Sequence, residues 1–522
     1  PRLIGMFAFA LWDTERHELI LVRDRLGIKP LYWGYLDGSL IFASELKAFT
    51  PYPGWHPTLN PDAIAAYLRH NYIPTPHCIY QGVHKLQPGC YLTFSAGREP
   101  DVRYYWDFRD IAADAFADRQ PIETADAEQA LDLLLRDAVG KRMVADVPLG
   151  TLLSGGIDSS LVTALMQVQS ERPIKSFSIG FAEAQFDEAP YARKIARHLG
   201  TDHTELYVEP SHALEVIPKI PQWYDEPFAD SSQIPTYLVC ELTKKHVAVV
   251  LSGDGGDEVF AGYNRYTLGA QIWNRTRVFP WFLRKAVGAS LRRIPESSFD
   301  RLAALLPSSR RPGLFGHKIH KLADGLLQPH PDAMYRQLVT HWQDPATIVL
   351  GSSEPQGHLW NPDYRRTIPE FTERMQFLDT LTYLPDDILT KVDRASMAVS
   401  LEVRVPLIDH RVVEFAWQLP LHLKTHRGRG KILLRRVLDR YVPRELVERP
   451  KMGFGVPIDL WLRGSLRDWA ESLLDERRLR DQGLLDPAPI REKWRAHLAG
   501  ENWAYPLWDV LMLQAWLDYY RK

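Results

Sequence analysis

The stretch Val147–Met166 (VPLGTLLSGGIDSSLVTALM) constrains this 522-residue chain more than any other. Its apolar start, Val147 to Leu153, predicts a short buried strand. Ser154, Gly155 and Gly156 make a small-residue turn, and Ile157, Leu161, Ala164, Leu165 and Val168 recur at helical spacing. A strand that turns on glycines into a helix N-terminus points backbone N–H groups and the positive end of the helix dipole outward, a cradle for phosphate. Ser154, Ser159 and Ser160 add hydroxyls. Asp158 adds a carboxylate suited to magnesium.

The loop differs from the P-loop pattern G-x-x-x-x-G-K-[ST]: its glycines are adjacent and no lysine follows them. Without that lysine, γ-phosphoryl transfer is less suited than cleavage at the α-phosphate, with pyrophosphate leaving. A second acidic glycine loop, Ser252–Arg265 (SGDGGDEVFAGYNR), follows the apolar run His246–Leu251, which reads as a buried strand. Carboxylates so clustered repel unless a cation lies between them. Asp257 is therefore expected to share magnesium with Asp158, leaving Asp254 to orient the acceptor or move a proton. Lys391, Asp393 and Arg394 on one helix either line a pocket or form a salt-bridged face. Lys431 and Lys451 each offer a fixed cation for charge developing at a phosphate.

Around these loops the pattern is α/β. Glu123–Met143 reads as one amphipathic helix. Strands are expected at Ile174–Phe181 and His203–Val208, with helices at Glu188–Leu199 and from Ala213. That alternation predicts a doubly wound parallel sheet with its ligand outside the C-terminal strand ends. From Arg275 onward the pattern is helical. Trp461, Trp494 and Trp508 are expected in the core. Residues 1–106 read instead as short strands and turns, with a hairpin at Asp37-Gly38 and a helix at Pro61–His70 capped by Asn60. Residues 107–122 are polar and alanine-rich without a clear period, and are taken as a linker to a domain spanning 123–522.

Bulk composition excludes little beyond this. Basic and acidic residues number 63 and 65, so no global field suggests nucleic acid or membrane as a partner. The three cysteines, Cys78, Cys90 and Cys240, have no spacing for a zinc site or disulfide framework and fit a reducing cytoplasm. No apolar run is long enough to span a bilayer. The chain starts at Pro1 and enters an apolar strand at once, which suggests that more sequence lies upstream.

The SGGIDSS loop resembles that of the ATP-pyrophosphatase enzymes. Together with Gly5–Trp12 (GMFAFALW), Arg23–Tyr32 (RDRLGIKPLY) and Ala43–Lys47 (ASELK), these motifs resemble the glutamine-hydrolysing asparagine synthetase family over essentially the whole chain. The resemblance implies the later part of a class II glutaminase domain of αββα (Ntn-hydrolase-like) type. An adenylating domain with a helical C-terminal extension would follow. In the family, ammonia from glutamine passes through an internal tunnel. Aspartate attacks ATP to give β-aspartyl-AMP and pyrophosphate, and ammonia displaces AMP.

By resemblance, Ser154, Gly155, Gly156, Asp158, Ser159 and Ser160 bind pyrophosphate and magnesium. Leu152, Ile179, Ser252 and Gly253 border the nucleotide, and Asp257 is the second metal-linked carboxylate. Asp254 stands where a relative carries glutamate, and Lys451 matches the lysine that stabilises the adenylation transition state. The implied partners are small molecules, with a homodimer left open. The family's N-terminal cysteine nucleophile is not in this sequence, so free ammonia is expected to be its donor. Other carboxylates, as in surface-polysaccharide amidation or β-lactam closure, are the alternative acceptors.

Overall fold

The computed structural model describes residues 2–36, 38–181, 187–304, 315–449 and 455–520. The first domain has two antiparallel sheets. One runs in the order β1 (Ala8–Asp13), β2 (Glu18–Arg23), β6 (Cys90–Ser95), β7 (Asp101–Tyr104), and the other β4 (Ser39–Ala43), β3 (Tyr32–Leu36), β5 (Val83–Lys85). Leu21 and Leu92 from the first sheet meet Trp33 and Leu40 from the second in one apolar cluster, so the sheets face each other. The β3–β4 hairpin pairs Leu36 with Ser39 around Gly38 at φ +81°, the left-handed geometry that glycine tolerates; Asp37 lies outside the described residues. Helix α1 (Pro61–His70) starts as its sequence requires: Asn60 accepts from Asp62 and Ala63 N–H, and proline takes the first turn.

Residues 107–122 are more ordered than their composition suggests. Asp107 accepts from Arg109 N–H and caps α2 (Phe108–Ala117), which buries Phe108, Ala112 and Ala115. Phe108, Ala112 and Ala115 stand at i, i+4 and i+7, a helical period carried by small alanines within a polar, alanine-rich stretch.

The second domain carries a five-stranded, all-parallel sheet in the order β10 (Asp202–Val208), β9 (Lys175–Phe181), β8 (Leu149–Leu152), β11 (Val249–Leu251), β12 (Glu402–Arg404). Helices cover both faces. Val250 and Phe177 pack in one apolar cluster with Leu238 and Cys240 of helix Gln233–Lys244. Leu251 packs in the other, with α3 (Thr124–Met143), α4 (Ile157–Gln167) and α5 (Ala189–Leu199). The apolar run His246–Leu251 contributes only its last three residues to a strand.

Strands beyond Arg275 depart from the expected pattern, among them the short antiparallel pair Thr425–His426 and Arg429–Gly430. The region after Arg275 is not wholly helical, because Glu402–Arg404 adds the edge strand β12 beside β11. A three-residue strand with charged residues on either side of Val403 carries no apolar alternation to reveal it. Trp461, Trp494 and Trp508 are buried in the core.

The domains share that core. The Tyr67 hydroxyl of α1 donates to the Asp509 carbonyl at 2.7 Å in the C-terminal helix Ala504–Tyr520. The Asp509 carboxylate meets His341 Nδ1 at 2.9 Å. Burial raises the Asp509 carboxyl to about 6, with His341 opposing the rise. Burial alone would lower His341, but Asp509 outweighs it and holds the imidazole above its usual value. Burial pushes neighbouring His70 down to about 3, so it stays neutral. Both raised groups favour the fold more at low pH than at high pH. The stability advantage over Asp509→Asn is therefore expected to shrink by about 3 kcal/mol as pH rises from the unfolded carboxyl value through about 6. It should fall further as His341 deprotonates. Urea unfolding of both proteins across this range checks the sign.

Candidate active site

Both glycine loops stand at the C-terminal ends of adjacent central strands, where an open parallel sheet places its ligands. The β8 loop turns on Gly155 at φ +77°. A Cβ there would also lie 2.8 Å from the Ala192 nitrogen of α5. Gly156 opens α4 with no side-chain cap. The serine hydroxyls are engaged within the loop: Ser159 Oγ accepts from Ser154 N–H at 3.2 Å and meets Ser154 Oγ at 3.0 Å. Ser160 is fully buried, and its hydroxyl has no hydrogen-bond partner among the described residues. Leu152 ends β8 half-buried, and Ile179 is buried within β9.

The β11 loop comes up against this turn. A Cβ on Gly253 would sit 2.6 Å from the Ser159 nitrogen, and one on Gly256 2.6 Å from Asp158 Oδ1. Only glycine lets the two backbones approach this closely. Gly253→Val is therefore expected to push the loops apart, abolishing ATP protection against thermal unfolding while the ligand-free melting temperature drops only a few degrees. A thermal-shift titration measures both.

Buried Ser252 donates from Oγ to Asp254 Oδ2 at 2.8 Å. Burial raises the Asp254 carboxyl, with nearby Lys391 opposing. Asp158 and Asp257 converge on one side chain. Lys431 Nζ contacts Asp158 Oδ2 and lies 2.7 Å from Asp257 Oδ1. Burial would lower this ammonium, but Asp158 and Asp257 outweigh it and hold it above the usual lysine range.

Lys431 adopts φ +60° and opens the helix Ile432–Leu438. Its N–H donates to the Phe260 carbonyl at 2.9 Å. A Cβ on Gly430 would lie 2.0 Å from the Ala261 carbonyl oxygen, and Ala261 is itself at φ +55°. Two non-glycine residues held in left-handed backbone mark a strained corner built to present this lysine.

Lys391, Asp393 and Arg394 form a buried salt-bridged face that ties the domains together. Asp393 pairs with Lys29 at 2.8 Å, and Arg394 with Glu45 at 3.1 Å and Asp225 at 3.2 Å. Lys391 Nζ lies 2.8 Å from both Asp230 Oδ2 and Ser232 Oγ. Burial would raise Asp230, yet Lys391 outweighs it and holds the carboxyl at about 2. Asp387 is pushed well above the carboxylate range by burial and then by Asp230, and it accepts from Asn71 Nδ2 at 3.1 Å. Spacing along the sequence does not reveal Asp230, because its partner Lys391 lies 161 residues away; Asp387 stands four residues before Lys391.

Lys451 lies outside the described residues. Arg449, two positions before it, donates to the Ser154 carbonyl at 3.2 Å and pairs with Glu188 at 2.6 Å. Among the described residues no group of three His, Cys, Asp or Glu side chains has metal-site geometry, and no helix is long and apolar enough to cross a membrane. Burial raises all three thiols, Cys90 to about 12, so none of them is a ready thiolate.

The comparisons with known proteins agree with this architecture. The asparagine synthase family model matches residues 130–518, and the glutamine amidotransferase domain model matches residues 1–106. A glutamine-hydrolysing asparagine synthetase 1 from Bacillus subtilis is 30% identical over 531 residues, covering 99% of this chain and 77% of that protein. A putative glutamine-hydrolysing asparagine synthetase from Mycobacterium tuberculosis is 33% identical over 536 residues, covering 99% and 76%. A Penicillium rubens protein named Amidase chyE is 28% identical over 531 residues, covering 93% and 74%. The matches span both domains and the loops at the sheet's centre, and this chain belongs to the glutamine-hydrolysing asparagine synthetase family, whose members are carbon–nitrogen ligases.

Proposed function

We propose that this chain activates the side-chain carboxylate of L-aspartate with ATP and converts the resulting β-aspartyl-AMP into L-asparagine. The observation that carries the reading is the convergence of Asp158 and Asp257 on Lys431 at the mouth of the parallel sheet. Ser154, Gly155, Gly156, Asp158, Ser159 and Ser160 cradle the pyrophosphate portion of ATP at the start of α4. Leu152, Ile179, Ser252 and Gly253 border the nucleotide. The acceptor carboxylate attacks the α-phosphorus, the bond to pyrophosphate breaks, and Lys431 and Lys451 stabilise the charge that builds there. Ammonia then attacks the acyl carbon, loses a proton, and AMP leaves. Asp254 takes that proton; the raised carboxyl, the more basic for its burial, supports this role.

A magnesium ion fits the donor set. Two carboxylates close enough to share one ammonium match the ion's habit of binding one or two carboxylates plus substrate phosphates. Asp158 and Asp257 would hold it, and it would neutralise the leaving pyrophosphate.

The similarity to Amidase chyE favours testing other acceptors beside aspartate. The deciding experiment measures AMP release with ATP, magnesium and either ammonium or glutamine, over a panel of aspartate, sugar carboxylates and β-amino acids. Release that depends on aspartate and yields asparagine supports the proposal. Release with a different carboxylate alone keeps the chemistry and replaces the acceptor.

A further inference from the structure

The corner between helices Asn264–Thr276 and Trp281–Arg293 presents large apolar side chains to solvent. Residues 277–283 (RVFPWFL) are exposed without interruption. Val278 is 71% exposed, Phe279 56% and Phe282 66%, and Val287 follows one turn later at 54%. A water-facing helix ordinarily buries such residues and exposes its charges. Here the second helix exposes its large apolar residues along with Lys285 and Arg293. It buries Arg284, which donates to the Gln328 and Pro329 carbonyls, and Gly288, which packs against Ala323.

Charge at this corner is of one sign. From Asn264 to Pro295 the chain carries seven arginines and lysines and no acidic residue, although the protein as a whole is balanced at −2. Arg265 is engaged by Asp379 and Arg292 by Asp324. Arg275, Arg277, Lys285 and Arg293 remain exposed around the apolar corner. On the elements that follow, Glu296 is held by His320. The balanced totals conceal this local bias.

We propose that the Arg277–Leu283 corner docks on an anionic lipid surface, with Phe279 and Phe282 entering the headgroup boundary and Arg275, Arg277, Lys285 and Arg293 pairing with lipid phosphates. Exposed aromatic and aliphatic side chains ringed by unopposed cations suit that interface. A second copy meeting the same patch across a two-fold axis would bring these cations against their own symmetry mates, which disfavours a dimer here. With no membrane-crossing helix among the described residues, the attachment is peripheral.

The test is co-sedimentation of the full chain with phosphatidylcholine vesicles, with and without about one-third phosphatidylglycerol. Binding is expected only to the anionic vesicles. The Arg277→Glu/Lys285→Glu pair should lower it about tenfold or more, and Phe279→Ser/Phe282→Ser should do so at unchanged charge. Both pairs lie away from the strand-end loops and should keep the parent melting temperature. Binding to neither vesicle, equal binding to both, or binding that survives both variant pairs overturns the proposal. So does a dimer in light scattering that Phe282→Ser dissolves, if the vesicles are left unbound.

Discussion

Replacing Lys431 by methionine is expected to slow AMP release about a hundredfold to a thousandfold at saturating ATP, the usual loss when one preorganised electrostatic group is removed from a reacting phosphate or acyl centre. Methionine keeps much of the side chain's length, so the helix that follows should still form. The ammonium that joins Asp158 to Asp257 would be gone. Asp158 and Asp257 would then have only a bound magnesium ion to hold them together. Single-turnover quench experiments measure the rate, and a melting curve on the same sample separates chemistry from folding. A rate within threefold of the parent would remove Lys431 from the proposed mechanism.

The second large effect belongs to Lys391. Its substitution by methionine strands Asp230 beside Asp387 in a site that contains no other described cation within bonding reach of Asp230. Removing one member of a buried ion pair typically costs about 3–5 kcal/mol, because the other charge stays desolvated. A lower urea midpoint should follow, together with faster proteolysis near the Asn71–Asp387 contact that links the two domains. Adding Asp230→Asn in the same background should restore most of the loss, since it removes the stranded charge. An unchanged midpoint for the single variant would contradict the assigned pairing.

Local chemistry made part of this site readable from sequence. The Ser154–Ser160 turn and its helix are neighbours along the chain, so adjacent glycines and a helical period suffice to predict them. The rule that ligands sit at C-terminal strand ends then suggests that the Ser252–Arg265 loop faces the first. Lys431 is harder to single out. Its partner Asp158 lies 273 residues away in sequence, and a lone lysine has no period. The dense glycines of Arg427–Lys431 (RGRGK) were the available signal, and the structure explains them: Gly430 and the left-handed Lys431 are pressed against Phe260 and Ala261. The strand β12 escaped detection because pairing with β11, rather than apolar alternation, defines it. Lys391 is legible as part of a charged helix face, but its partner Asp230, 161 residues away, looks like ordinary surface charge until the fold brings it inside.

In the proposed chemistry the two loops release pyrophosphate rather than transfer a terminal phosphate. Phosphorus NMR of the products formed from ATP, magnesium, ammonium and the acceptor that supports turnover tests it most directly. AMP and pyrophosphate in equal amounts are the expected products. ADP and inorganic phosphate would contradict it.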